Sequence, residues 1–270
     1  FYTKNIDAPC SSFYYSGLRE ICDFKSELID LESYSIVMVM TYDHLDIKQI
    51  RTNYPNIKIG IIDPRDNSVY ESVKFCDFII VDSIEMEDFW RKAKKLIFRY
   101  VEYPNISPMF KDHNNADKVI IGYHGNRVHL HSMEKNIAPA LSNLGKEFNI
   151  EMILMYNGKP PKGNESWLPK NINIKHVKWS FENYFKKLSI VDIGIVPNGI
   201  MSKNKLNKIL CEKDDILNLS SDDYVLRFKM PSNPGRIIVF GLLGIPVVSD
   251  FFPSGISHLQ GGRGLIAHNK

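Results

Sequence analysis

Long apolar runs are missing from this chain. A helix that crosses a membrane needs roughly 20 consecutive apolar residues. The longest stretches here, Ser35–Met40 and Arg236–Val248, are core-sized or broken by Gly and Pro. The opening residues, FYTKNIDAPC, lack the basic start, apolar centre and small-residue cleavage site of a secretory signal. The expectation is a cytoplasmic protein, with room for peripheral contact at the inner face of the membrane. Cysteine is scarce and scattered, at Cys10, Cys22, Cys76 and Cys211. No C-x-x-C occurs, which excludes a zinc ribbon and a thioredoxin motif. Cys76 lies in an apolar stretch and reads as a buried thiol. Charge of one sign is also lacking: the formal net charge is +3 and the lysines are scattered. Nucleic acid is therefore not an expected partner, while a weak attraction to an anionic membrane surface stays open. Neither G-x-G-x-x-G nor G-x-x-x-x-G-K-[ST] is present, which disfavours a hydride-transferring dehydrogenase and excludes a P-loop. No short repeat and no low-complexity tract occurs.

What is present is the balance of a soluble globular protein, with 44% hydrophobic and 24% charged residues over 270 positions. Short β-rich runs alternate with amphipathic stretches. Strands are predicted at Ser35–Thr41, Ile57–Ile62, Phe78–Val81 and Leu96–Tyr100, with helices at about Leu45–Asn53, Ser68–Lys74 and Ile84–Lys95. Strands that are apolar on both faces and separated by helices imply a parallel sheet. The polar segment Pro104–Asp117 reads as a linker. The rhythm then restarts, with strands at Lys118–Tyr123, Glu151–Tyr156, Ile174–Val177, Ile190–Val196, Pro246–Ser249 and Leu265–Ala267. Helices are predicted at about His131–Phe148, Phe181–Leu188 and Gly235–Leu243. The fold class is therefore α/β, two Rossmann-like domains facing a cleft. The expected division is residues 1–110 and 111–270. Met201–Asp223 interrupts the alternation and reads equally as a lid or as a solvated helical excursion.

Arg227–Asp250 is the segment richest in chemistry. Ser232 or Asn233 suits an N-cap and Pro234 a first helical turn. A helix start favours an anion, and two cations, Lys229 and Arg236, flank this one. Cations there oppose the helix dipole, which makes sense if a phosphate or pyrophosphate sits between them; the bland alternative is two surface cations. Gly122 and Gly125, in IIGYHGNR, follow a strand and allow close backbone approach to a ligand. His124, His129 and His131 cluster, yet no carboxylate or cysteine stands at a ligand-like spacing. No metal is expected, and His124 is taken as a polar group at the cleft. Asp192 reads as structural. Tyr42-Asp43-His44, and Asp63 with Arg65-Asp66, follow predicted strands and are candidates for ligand contact or ordinary turn chemistry.

The order KVIIGYHGN, IVDIGIVPN, RFKMPSNPGRIIVFGLLGIPVVSD and GGRGLIAH resembles the C-terminal half of group 1 (family 4-like) glycosyltransferases of the GT-B type. The likeness runs from about Lys118 to His268 and is only architectural before that. Gly244-Ile245-Pro246-Val247-Val248 matches the family strand after the donor-binding helix, and Asp192 to Pro197 the strand before it. The family's pair of glutamates is absent: Pro231 and Val239 hold those places. Lys229, Ser232, Asn233 and Arg236 resemble a variant branch with basic and amide residues. The chain starts without an obvious first strand and stops soon after Ala267 without closing helices, so a trimmed polypeptide is expected.

The resemblance implies a metal-independent hexosyltransferase that moves a sugar from a nucleotide-sugar to a glycan or lipid-linked acceptor in polysaccharide or glycoconjugate biosynthesis. It needs no cofactor. Lys229 and Arg236 would be catalytic, stabilising the leaving diphosphate. Gly125, Asn126, Arg127, Pro197, Asn198, Ser232 and Asn233 would bind the donor. His44, Asp66 and His124 are the acceptor or cleft candidates. The alternatives are a nucleotide-sugar epimerase of the same fold and a non-catalytic two-lobed nucleotide- or sugar-binding protein.

Overall fold

The computed structural model describes residues 1–6, 8–40, 43–64, 71–113, 117–161, 165–198, 233–262 and 264–267. They divide into two compact units, one built on Phe1–Asn105 and the other on Ile106–Ile200 and Pro234–Lys270. In the first unit helix α1 (Pro9–Leu18) precedes β1 (Ile36–Val39), α2 (His44–Asn53), β2 (Lys58–Ile62), β3 (Phe78–Val81), α3 (Ile84–Trp90) and β4 (Leu96–Arg99). The strands form a parallel sheet in the order β1-β2-β3-β4. Their side chains alternate between its two faces. Val37, Val39, Ile59, Ile61, Ile79 and Val81 share a core with Ile47 and Ile50 of α2 and with Met86, Phe89 and Trp90 of α3. Ile62 and Ile80, with Met38 and Phe78, pack instead with Tyr14 and Leu18 of α1. Tyr2 forms parallel bridges to Val39 and to Lys25, so the opening residues also join this sheet.

Local signals set the helix ends. Asp43 accepts from Leu45 N at 3.0 Å to cap α2, and Ser83 accepts from Met86 N at 3.2 Å to cap α3. α3 is shorter than the expected Ile84–Lys95: a 3-10 turn at Arg91–Ala93 follows, and Lys94 turns left-handed at φ 52°. α1 has no amphipathic period, and its sequence gave no expectation of a helix. It forms because Pro9 pre-sets φ in the first turn and because Phe13 and Tyr14 are buried. Cys76 is buried, its thiol donates to Ser72 O, and burial pushes it up to about 12.

The second unit runs β5 (Val119–His124), α4 (Ile137–Leu144), β6 (Ile150–Tyr156), β7 (Asn173–Lys178), α5 (Tyr184–Leu188), β8 (Ile193–Val196), α6 (Gly235–Leu242), β9 (Val247–Asp250), α7 (Pro253–Leu259) and β10 (Gly264–Ala267). All pairings are parallel, in the order β10-β9-β8-β5-β6-β7. This is the strand order of a doubly wound dinucleotide-binding sheet. One face packs Ile121, Tyr123, Met152, Leu154 and Ile195 against Leu130, Met133, Ala138 and Leu141. On the other, α6 comes close enough that a Cβ on Gly194 of β8 would stand 2.6 Å from the Phe240 ring.

The helix predicted over His131–Phe148 is a correction. It is two pieces, a 3-10 segment Arg127–Met133 and α4. Pro139 explains the break, because its ring and missing N–H are tolerated only in a first turn. α7 was not expected at all. Of the segment that reads as a linker, residues 106–113 are fastened to the second unit. Met109 N donates to Leu242 O and Lys111 N to Leu243 O, both at 2.8 Å, and His113 Nε2 lies 2.9 Å from Gly244 O. Lys111 Nζ donates to Ile190 O at 2.7 Å and pairs with Asp192, whose other oxygen accepts from Ile120 N at 2.7 Å. Partial burial works against ionisation of Asp192, but Lys111 and that N–H hold its carboxyl below the usual range. Asp192 is thus structural. Met201–Asp223 lies outside the described residues.

Candidate active site

In an open parallel sheet ligands bind beyond the carboxyl ends of the strands, where the strand order reverses. The second sheet reverses between β5 and β8. Gly125-Asn126 follow the one strand and Pro197-Asn198 the other. Gly125 has φ +139°, and a Cβ there would stand 2.9 Å from Arg236 Cδ and 3.0 Å from the Tyr123 hydroxyl. Only glycine fits both the backbone and the space. Asn126 Oδ1 accepts from Val128 N at 3.0 Å and so starts the 3-10 segment, while Tyr123 Oη donates to Asn126 O at 2.6 Å.

Arg236 joins the two turns. It lies in the first turn of α6 and is 9% exposed. Its Nη1 donates to Pro197 O at 3.0 Å and its Nη2 to Asn198 Oδ1. The guanidinium carbon is 6.0 Å from the centre of the Tyr123 ring. Burial pushes the Tyr123 phenol up to about 12 even with this cation beside it, so the hydroxyl is a fixed donor at neutral pH. The buried charge thus has a hydrogen-bonded seat, which offsets its cost at a helix N-terminus. The site combines two turns, a cation and the start of a helix that no side chain caps. Such an arrangement can hold an anion.

His124 is a correction to its reading as a polar cleft group. It is 4% exposed, with Nε2 3.2 Å from Arg236 O and its ring edge-on to Phe240 at 5.0 Å. Burial lowers its pKa to about 3, so it is a neutral donor that positions the α6 backbone. Arg127 is partly exposed and donates to Lys159 O at 3.1 Å, with Glu165 at 3.8 Å. The N-cap of α6 is Pro234, with no side-chain cap, so Asn233 stands one residue before the cap and does not form it. Lys229, Ser232 and Asp66 lie outside the described residues, as does Arg65. Tyr123 was missed. Its only signal was a tyrosine inside a strand with inward-pointing alternation, which reads as core.

The same rule applied to the first unit points between Tyr2 and β1, because Tyr2 bridges Lys25 on one side and Val39 on the other. There Lys4 Nζ lies 3.2 Å from Asp43 and 2.9 Å from Asp46, and Tyr2 Oη donates to Asp46 at 3.3 Å. Hydrogen bonding to Asp46 raises the Lys4 pKa, and the Leu45 N–H and then Lys4 lower that of Asp43. His44 opens α2 beside this group. Lys4 carried no signal in the sequence, since its partners stand about forty residues away. Among the described residues no three His, Cys, Asp or Glu side chains stand where they could hold a metal ion, and no helix is long and apolar enough to cross a membrane.

No protein-family model and no curated protein matches the sequence. Solved structures do match. That of TarM superposes with a TM-score of 0.51 at 12% identity, over 97% of this chain and 48% of its own. The likeness is one of fold. The glycosylation associate protein (Gap123) complex from Streptococcus agalactiae gives a TM-score of 0.48 at 13% identity, over 88% of this chain and 46% of its own. The N-terminal domain of trehalose-6-phosphate phosphatase from Candida albicans gives 0.44 at 9%, over 94% and 61%. This chain spans about half the length of the first two, 48% and 46%.

Proposed function

We propose that this chain is a glycosyltransferase of the GT-B type that takes a hexose from a nucleoside-diphosphate donor. The observation that carries the reading is the switch point of the second sheet, where the turns after β5 and β8 meet the start of α6 around Arg236. Those are the segments on which the sequence resembles group 1 glycosyltransferases. In this reading Gly125, Asn126, Pro197 and Asn198 shape the donor seat, with Arg127 and Asn233 at its margin, and Ser232 is a further donor contact that the sequence resemblance implies. Negative charge grows on the leaving diphosphate as the glycosidic bond breaks. Donors fixed in advance lower that barrier, each contributing on the order of 10²–10³ in rate. Arg236, the α6 N-terminus and Lys229 supply them without a metal. The acceptor, a glycan or lipid-linked sugar, would contact the first unit near Lys4, Asp43 and His44. The work would be done in the cytoplasm, at the inner face of the membrane where the acceptor is lipid-linked.

The test is release of nucleoside diphosphate from a panel of nucleotide-sugars, with and without candidate acceptors. Acceptor-dependent release supports the transferase. Interconversion of the nucleotide-sugar without an acceptor makes the chain an epimerase, and binding without turnover makes it a binding protein.

A further inference from the structure

Asn-Gly occurs twice in the chain, at Asn157-Gly158 and at Asn198-Gly199. In this dipeptide the side-chain amide is open to attack by the backbone that follows it, because glycine puts no Cβ beside the attacking nitrogen. The fold treats the two asparagines oppositely. Asn198 is 2% exposed, and its Oδ1 accepts from Arg236 Nη2. Asn157 stands just past β6, at the start of the connection to β7, and both it and Gly158 are exposed. Among the described residues the Asn157 carboxamide has no hydrogen-bond partner, and neither has the Gly158 N–H. Gly158 has φ +112°, and a Cβ placed there would meet nothing within 4 Å. Nothing therefore holds the amide away from the next nitrogen. No protein hydrogen bond has to break first, and the turn has room to rotate into the reacting geometry.

We propose that Asn157-Gly158 is a site of spontaneous modification, at which the folded protein converts asparagine to isoaspartate and aspartate. Solvent base removes the Gly158 amide proton. The nitrogen attacks Cγ of Asn157, the new N–Cγ bond closes a succinimide ring, and the side-chain nitrogen takes up a proton and leaves as ammonia. Water then opens the ring at either carbonyl. Opening at Cγ restores the normal chain with aspartate at this position. Opening at the main-chain carbonyl leaves the chain running through Cγ, one methylene longer. Only water is consumed, and nothing is oxidised or reduced. Either product carries a negative charge that asparagine lacks, two residues before Lys159, whose carbonyl accepts from Arg127 at 3.1 Å. The chemistry needs no ligand, so the proposal does not depend on the glycosyltransferase reading.

Incubation of the folded full chain at pH 9 in heavy-oxygen water, followed by digestion in ordinary water and peptide mass mapping, tests it. The peptide with Asn157 should gain the mass of NH2 replaced by labelled OH and should separate into isoaspartyl and aspartyl forms. It should convert at least roughly tenfold faster than the Asn198 peptide, because Asn198 reacts only when the structure around Arg236 opens. In denaturant the two should convert at like rates, since both asparagines then precede a glycine in an open chain. Asn157→Gln should remove the earliest acidic species that ion exchange resolves in the aged parent. Its melting temperature should not move, because the exposed side chain has no hydrogen bond to lose. The proposal is overturned if Asn157 converts no faster than Asn198 in the folded chain, if its product forms only in denaturant, or if the acidic species forms in Asn157→Gln at the parent's rate.

Discussion

Arg236 shows how far a single residue can be read from sequence. Its place in a first helical turn was legible, and so was the oddity of a cation there. Its seat was not, because Pro197 and Asn198 stand nearly forty positions away in the chain. Arg236→Ala removes the donor to two buried acceptors and should cost about 1–3 kcal/mol of stability in urea unfolding. On the proposed function it should also weaken nucleoside diphosphate roughly ten- to a hundred-fold and free nucleoside far less. Equal losses for both ligands would make Arg236 a clasp between turns and nothing more. Gly125→Ala, with φ +139° and Arg236 in the way, should destabilise by about 1–3 kcal/mol. His124 was misread because a sequence does not show burial. Its pKa is about 3 in the folded chain and about 6.5 unfolded. Below pH 6.5 the unfolded chain takes up a proton that the folded chain refuses. Stability that is complete above pH 6.5 is therefore lost as the pH falls toward 3, by about 2 kcal/mol at pH 5. Comparing His124→Gln with the parent at pH 7 and pH 5 should show a shallower loss in the variant; equal slopes would show that His124 titrates normally.

At the scale of elements, the strands β1 to β10 could all be read: the inner ones because buried parallel strands are apolar on both faces, and the exposed edge strands β4 and β7 from their place in the alternation of strand and helix. The helices were read less well. α1 and α7 lack a 3.6-residue period, and Pro139 split a stretch that reads as one amphipathic helix. The register of α6 on β8 depends on a contact no pattern displays, Phe240 lying over Gly194. Gly194→Ala would force that ring or the whole helix outward, at about 1–3 kcal/mol as an overpacked core change. On the proposed function nucleotide affinity should fall as well, since α6 carries Arg236. A Gly194→Ala variant with lower stability and unchanged affinity would show that α6 does not set the site.

For the whole molecule, the α/β class and the parallel sheets followed from the alternation of strand and helix, whereas the reversal of strand order between β5 and β8, beside which the candidate site lies, is visible only in the fold. Nucleoside diphosphate at 100 times its Kd should stabilise the chain by about 2.7 kcal/mol. On the proposed function the same gain is expected in a chelator, because Arg236, Lys229 and the start of α6 would do the work of a divalent ion; a gain that disappears in the chelator would refute metal independence. The reversal also bears on how the chain acquires its shape. β5 meets β8 through Ile121 and Ile193, and a contact between such distant positions must meet its loop-closure entropy before it is rewarded. Sheets joined this way fold slowly. β5, β6 and β7 can assemble from neighbouring sequence, but the two turns that Arg236 bridges cannot meet until β8 has docked. On the proposed function, helical circular dichroism should therefore recover before nucleotide binding does after dilution from denaturant. Simultaneous recovery of the two signals would show that β8 docks with the first strands.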